Sequence, residues 1–192
     1  SNTSSPFHER WDPDEPQRQL LEGIIFADGA SALVLDGSES SENGILCTYW
    51  GAWPQNDPMS YPAGGSRHPT TRDNWKDHEY RLNAKAVKED SPVHFQLSLA
   101  RILAKAGLTV ADISWFLFHQ VNYRILERIS RDYGIPWERM LVHADHYANT
   151  SAASIGILLD EAVRQGKIKK NDLLLMAAVG SGWQYGAALI RW

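Results

Sequence analysis

Trp115-Phe116-Leu117-Phe118-His119-Gln120-Val121-Asn122-Tyr123-Arg124 is an apolar run that ends on a histidine and turns at once toward a helix. The run opens at Ile113 and is short enough for a strand buried on both faces. The residues that follow read as a helix over 122–133, stopped by Gly134 and Pro136. A second segment has the same design: Asp145-His146-Tyr147-Ala148-Asn149-Thr150-Ser151-Ala152-Ala153-Ser154 places an asparagine at the entrance of a helix of small residues. Strand ends that lead into helix starts are where open α/β sheets hold their ligands. His119 and Asn149 are therefore the candidate chemistry of the chain.

Working outward, Leu99, Ile102, Leu103 and Ala106 fall at i, i+3, i+4 and i+7, a helical stripe that begins after Pro92 and ends at Gly107. Met140–Ala144 reads as a strand, and 151–165 as a helix closed by Gly166 with Ile155, Leu158, Leu159 and Ala162 on one face. Leu173–Val179 and Tyr185–Trp192 read as strands joined by Gly180-Ser181-Gly182, and Gly44–Trp53 as another strand. From residue 44 the order is β-α-β-α-β-α-β-β, which predicts an α/β domain: a mixed, mostly parallel five-stranded sheet with helices packed on it. Residues 1–20 are polar and Pro-rich and read as an arm, and Ser31-Ala32-Leu33-Val34-Leu35 as a strand. The chain between Pro54 and Asp90 shows no period. Gly29–Leu35 also echoes Gly186–Trp192, a hint that residues 1–36 close a preceding, duplicated half and that 37–192 form the domain proper.

Bulk composition excludes several classes. With 192 residues, 43% apolar and 22% charged, the chain is of globular type. A net charge of -4 argues against a general nucleic-acid binder. No apolar run approaches a membrane span, and one cysteine, Cys47, excludes an internal disulfide framework; both fit a cytoplasmic protein. No Gly-x-Ser-x-Gly elbow and no Gly-Lys-Ser/Thr phosphate loop occurs. His143 and His146 would point to opposite faces of a strand, so no metal site is expected.

Phe26–Ala32, Phe118–Arg124, Asn149–Ser154, Asp160–Ile168 and the ending from Gly180 to Trp192 resemble, in order and spacing, the C-terminal half of β-ketoacyl-acyl-carrier-protein synthase III, a condensing enzyme of the thiolase fold. That resemblance implies an acyltransferase of fatty acid or polyketide biosynthesis, performing a decarboxylative Claisen condensation between acyl-CoA and a malonyl carrier protein. It implies no cofactor beyond CoA or phosphopantetheine thioesters as substrates. His119 and Asn149 would hydrogen-bond the thioester oxygen as carbon dioxide departs, the physics of an oxyanion hole. The Gly180-Ser181-Gly182 turn would present the Ser181 backbone N–H to the acyl-transfer oxyanion, and Arg124 and Arg128 would meet an acidic acyl carrier protein.

The chain also departs from the family. The nucleophilic cysteine belongs to the family's other half and has no counterpart here, so this chain alone is expected to be inactive and to need a complementary N-terminal half. Val179 stands where the family carries Phe, Ser181 where it carries Gly, and Ala148 where Gly is common before Asn149; Leu82–Lys88 keeps a vestige of a further motif. Homo-oligomerisation is expected from apolar surface left open.

Plainer readings stand beside these. His119 could be a satisfied core histidine, and Asn149 a simple helix cap. Arg124, Arg128 and Arg131, at i, i+4 and i+7, could be a solvated face paired with Glu127 and Asp132. Trp50, Trp53 and Trp75 read as packing residues rather than an adenine platform, and Cys47 as a core or edge residue. The whole chain could be a non-catalytic subunit or interaction domain that keeps the scaffold.

Overall fold

The sheet at the centre of the computed structural model is built around the apolar run at 115–118, and its strand order follows from which segments can pair with it. The structure describes residues 25–37, 42–54, 59–60, 67–69, 71, 73–74 and 81–192. The arm at 1–20 and Trp75 lie outside them. In chain order the strands are β1 (Gly44–Ala52), β2 (Met59–Ser60), β3 (Arg81–Leu82), β4 (Trp115–Phe118), β5 (Met140–Leu141), β6 (Leu173–Gly180) and β7 (Gln184–Arg191). The α-helices are α1 (Ala84–Ala106), α2 (Tyr123–Tyr133), α3 (Ala144–Tyr147) and α4 (Ser154–Arg164). A five-stranded sheet runs β1-β7-β6-β4-β5, while β2 and β3 pair separately. β4 is parallel to both β5 and β6, whereas β7 is antiparallel to β6 and β1. The sheet is thus mixed, with its parallel and antiparallel pairings evenly divided between the two sides of β6.

Alternation along the strands builds a core on each face. Phe116, Phe118, Leu175, Ala177, Val179 and Leu189 point to the side covered by α1 and α2, where they meet Phe95, Ile102, Ile125, Leu126 and Ile129. Leu117, Leu174 and Met176 point the other way, against Leu158, Leu159 and Ala162 of α4. At β1 and β7 the strands approach closely because Gly186 carries no side chain: a Cβ there would lie 2.9 Å from the Tyr49 carbonyl oxygen.

The helix expected to begin at Pro92 begins instead at Ala84, with Asn83 Oδ1 accepting the Ala86 N–H at 3.0 Å as its cap. Pro92 sits inside α1. A proline there has no N–H for the carbonyl four residues back. That carbonyl belongs to Lys88, and Arg128 of α2 donates to it from Nη1 at 3.2 Å. The Tyr133 hydroxyl donates to the Pro92 carbonyl itself. A neighbouring helix thus fills the gap that would otherwise end the first one.

Two expected strands differ. β5 stops at Leu141, and Ala144–Tyr147 is a short helix with His143 before it and His146 within it. The expectation that these two histidines point to opposite faces of a strand is thereby replaced, and no metal-binding cluster exists among the described residues. Ser31–Leu35 forms no strand; Leu33, Val34 and Leu35 are exposed, Val34 at 95%. Apolar residues adopt strand pairing only against a partner strand, and none is present for them among the described residues. The segment is instead anchored upstream, where the Asn149 N–H donates to the Ile25 carbonyl at 2.9 Å and the Ala27 N–H to the Asn149 carbonyl at 3.0 Å. Further along it lies so close to α4 that a side chain at Gly156 would collide with Ser31. No helix among the described residues is long and apolar enough to cross a membrane.

Candidate active site

A cavity of about 750 Å³ opens where β4 and β6 end and α2 and α4 begin, and both His119 and Asn149 line it. His119 is placed by the strand it terminates: its backbone N–H donates to the Ala177 carbonyl at 2.8 Å, continuing the β4–β6 pairing by one residue. The chain then turns into α2, whose first turn is capped by Asn122 Oδ1 accepting the Ile125 N–H at 2.9 Å. Imidazole Nδ1 sits 2.8 Å from Ser154 Oγ, at the start of α4. Nε2 is the ring nitrogen left for the cavity.

Burial pushes the His119 pKa down to about 4, the neighbouring Ser151 carbonyl pulls the other way, and His143 adds to the lowering. The ring is neutral at physiological pH and offers a hydrogen bond without a buried charge.

Asn149 lines the same cavity. Its Oδ1 accepts the Ser151 N–H at 2.8 Å, which fixes the amide so that its NH₂ group points away from that turn. A backbone N–H demands an acceptor, so the oxygen must be the atom on that side. Asn149 is not the cap of a helix: Thr150 and Ala153 hold the N-cap positions that follow, while the Asn149 oxygen closes a local turn onto Ser151 and the nitrogen is spare. On either side of Asn149 the backbone is strained. Ala148 has φ 54 and ψ -151, and Ser151 has φ 53. The Ala148 values belong to a region that glycine alone adopts at little cost.

Gly180, the last residue of β6, and Ser181, in the turn to β7, also line the cavity. Gly182, with φ 133, lets the turn close. Arg124 and Arg128 separate in their environments. The Arg124 side chain is 89% exposed, 3.2 Å from Glu127. Arg128 is held by Asp132 at 3.1 Å and by the Lys88 carbonyl, so it stitches two helices together. Arg131 leans on Asp132 at 3.2 Å. Trp50 and Trp53 are exposed, Trp50 at 81% on the cavity wall, which overturns their reading as packing residues. They stand on the edge strand and its continuation, where no further strand or helix among the described residues covers them. Cys47, half-buried on β1, packs against the core and does not line the cavity.

Two residues that sequence reasoning left unremarked hold the site together. Gln120 is wholly buried; its Oε1 accepts the His143 and Ala144 N–H groups at 3.0 and 3.1 Å, and its Nε2 donates to the Phe118 carbonyl at 2.7 Å. It clamps the end of β4 to the end of β5, directly behind His119. Ser154 is the other. Their only sequence signal is position inside the two segments that carry His119 and Asn149.

A neutral imidazole and a carboxamide line one hollow, on a mixed sheet with helices on both faces, the architecture of a thiolase-like half. Residues 103–192 match the family model described as 3-oxoacyl-(acyl-carrier-protein) synthase III, C terminal. Over 169 residues the chain is 40% identical to the β-ketoacyl-(acyl-carrier-protein) synthase III of Rhizorhabdus wittichii, covering 88% of this chain and 51% of that protein. Among solved structures, the 3-oxoacyl-(acyl-carrier-protein) synthase III of Aquifex aeolicus superimposes with a TM-score of 0.68 at 30% identity, over 81% of this chain and 46% of that one. The corresponding enzyme of Thermus thermophilus gives 0.70 at 29% identity, over 81% and 48%. The chain belongs to the β-ketoacyl-acyl-carrier-protein synthase III family and corresponds to its C-terminal half. It spans about half the length of the relatives it matches.

Proposed function

We propose that this chain is the half of a ketoacyl synthase III-type acyltransferase that holds the extender thioester, with His119 and Asn149 as its two oxyanion donors. One observation carries this: a side chain from the end of β4 and one from the connection between α3 and α4 line a single cavity, each with its other polar atom already engaged behind it. In the reaction, the carbon–carbon bond to the malonyl carboxylate breaks, carbon dioxide leaves, and the electron pair moves onto the thioester oxygen. Two fixed N–H donors aimed at that oxygen stabilise the enolate without reorganisation. The enolate carbon then attacks an acyl thioester. The tetrahedral oxyanion so formed is met by the Ser181 backbone N–H, and its collapse expels a cysteine thiolate. That cysteine comes from a complementary N-terminal half. The exposed Leu33-Val34-Leu35 segment is the natural seat for that half, since it offers apolar surface with no partner strand among the described residues.

An acidic acyl carrier protein, delivering the malonyl thioester, docks on the exposed Arg124, with acyl-CoA as the other substrate. Arg128 contributes less, because its guanidinium is committed to Asp132 and Lys88. CoA and phosphopantetheine thioesters enter as substrates and no cofactor is required. A compartment holding free thiols, such as the cytoplasm, suits the lone Cys47.

The test is reconstitution with a cysteine-bearing half, followed by release of carbon dioxide from malonyl carrier protein. His119→Ala and Asn149→Ala should each lower the decarboxylation rate by about 10²–10³-fold, the loss typical of one oxyanion donor. The alternative is a non-catalytic subunit that retains the scaffold. A reconstituted complex that takes no acyl label from acyl-CoA and releases no carbon dioxide would select it.

A further inference from the structure

We propose that Ser154 is a positioning residue that fixes the tautomer of His119, so that Nε2 carries the ring proton into the cavity. This rests on His119 acting there as a hydrogen-bond donor. Ser154 is 1% exposed, and its Oγ has two neighbours: His119 Nδ1 at 2.8 Å and the Gln120 backbone N–H, which donates to it at 3.4 Å. A backbone amide can only donate. It occupies one lone pair of the hydroxyl oxygen and leaves the hydroxyl proton to be placed. In a buried site that proton needs an acceptor. Nδ1 is the acceptor within reach, and by accepting it leaves the second ring nitrogen as the N–H.

The opposite arrangement fails on two counts. A proton on Nδ1 would fill the second lone pair of that oxygen and strand the serine proton without an acceptor. It would also turn a bare Nε2 lone pair toward an oxygen that gains negative charge during reaction, where repulsion would replace stabilisation. The neutral ring required by this arrangement agrees with the burial that holds His119 down to about 4. One short stretch therefore serves both donors: Asn149 supplies the amide directly, and Ser154, at the start of α4, orients the imidazole.

Removing the hydroxyl takes away the proton that Nδ1 accepts and frees Nδ1 to carry the ring proton itself. The experiment uses the full chain labelled with nitrogen-15 and reads long-range proton–nitrogen correlations of the His119 ring above pH 7, assigned by their loss in His119→Gln. The wild-type ring should be the Nε2–H form. Ser154→Ala should move the ratio toward Nδ1–H by roughly tenfold, the factor that one net hydrogen bond controls. Ser154→Thr, which keeps the hydroxyl, should restore it.

An Nδ1–H ring in the wild type overturns the proposal, and so does an unchanged ratio in a folded Ser154→Ala. If Ser154→Ala does not fold, the wild-type ratio still decides. No thioester or partner is needed for this reading. A reconstituted enzyme that cannot decarboxylate would therefore sink the proposed function and leave the tautomer assignment standing, while an active enzyme with an Nδ1–H ring would do the reverse.

Discussion

The two junctions that present His119 and Asn149 are held in opposite ways. Behind His119 the support is hydrogen bonding: Gln120 answers two backbone N–H groups and a carbonyl, Asn122 caps the helix, and no residue from 119 to 124 has a positive φ. Around Asn149 the support is borrowed and strained. Its backbone pairs with Ile25 and Ala27, far away in sequence, and both Ala148 and Ser151 sit at positive φ. His119 thus stands on hydrogen bonds among buried neighbours, and Asn149 depends on a segment that the other described residues cover poorly. A site assembled this way would be half-preorganised in the isolated chain and would tighten at Asn149 when the apolar face beside 25–37 is covered.

Breaking the stronger side should have the largest effect. Gln120→Leu removes the acceptor for the His143 and Ala144 N–H groups and the donor to Phe118 while leaving an apolar side chain of similar length. Each buried group left unpaired costs about 1–3 kcal/mol, so a loss of about 3–5 kcal/mol is expected in urea unfolding. A loss below about 1 kcal/mol would mean that water replaces the clamp, and the contrast between the junctions would fail.

Acid tests the same side with a smaller effect. The unfolded His119 takes up its proton near 6.5 and the folded one only near 4, so its contribution to stability is complete above 6.5 and is lost as pH falls toward 4. Because the ring borders an open cavity, the expected loss is discounted to about 2 kcal/mol between pH 7 and 4. Burial lowers His94 and His143 as well, in the same sense, so His119→Gln should flatten the pH profile without abolishing it. A variant profile that overlays the wild type would show that His119 is not the buried neutral ring described here.

The order of helices and strands was open to reading because stripes and glycine stops are local: Gly107 and Gly134 do adopt the left-handed conformation at the ends of α1 and α2. The true start of α1 was not legible. A proline marks a boundary by its own chemistry, and the guanidinium that cancels its cost lies on another helix. Leu33-Val34-Leu35 reads as a strand from composition alone, yet pairing depends on a partner that composition cannot supply. His119 and Asn149 were visible in their motifs. Gln120 and Ser154 were not, since which backbone groups a buried side chain serves depends on where two loops meet. Arg124 and Arg128 read alike on a helical stripe and part company only when α1 is laid beside them.

The weaker side offers the smallest effect and the sharpest sign. Ala148 holds φ 54 and ψ -151, a conformation in which a Cβ crowds the backbone at a cost of order 1–3 kcal/mol. Glycine removes that strain but adds freedom to the unfolded chain, worth about 0.5–1 kcal/mol against it. Ala148→Gly should therefore stabilise the chain by about 1 kcal/mol in thermal or urea unfolding. The change should concentrate at the Asn149 N–H, whose hydrogen exchange should slow while that of the His143 N–H, bonded to Gln120, keeps pace only with global unfolding. Destabilisation by the glycine would mean that the Asn149 junction is unstrained and that the two donors are held alike. Stabilisation with slower exchange at Asn149 would place the strain beside the amide donor, where it can be relieved without touching the hydrogen bonds behind the imidazole.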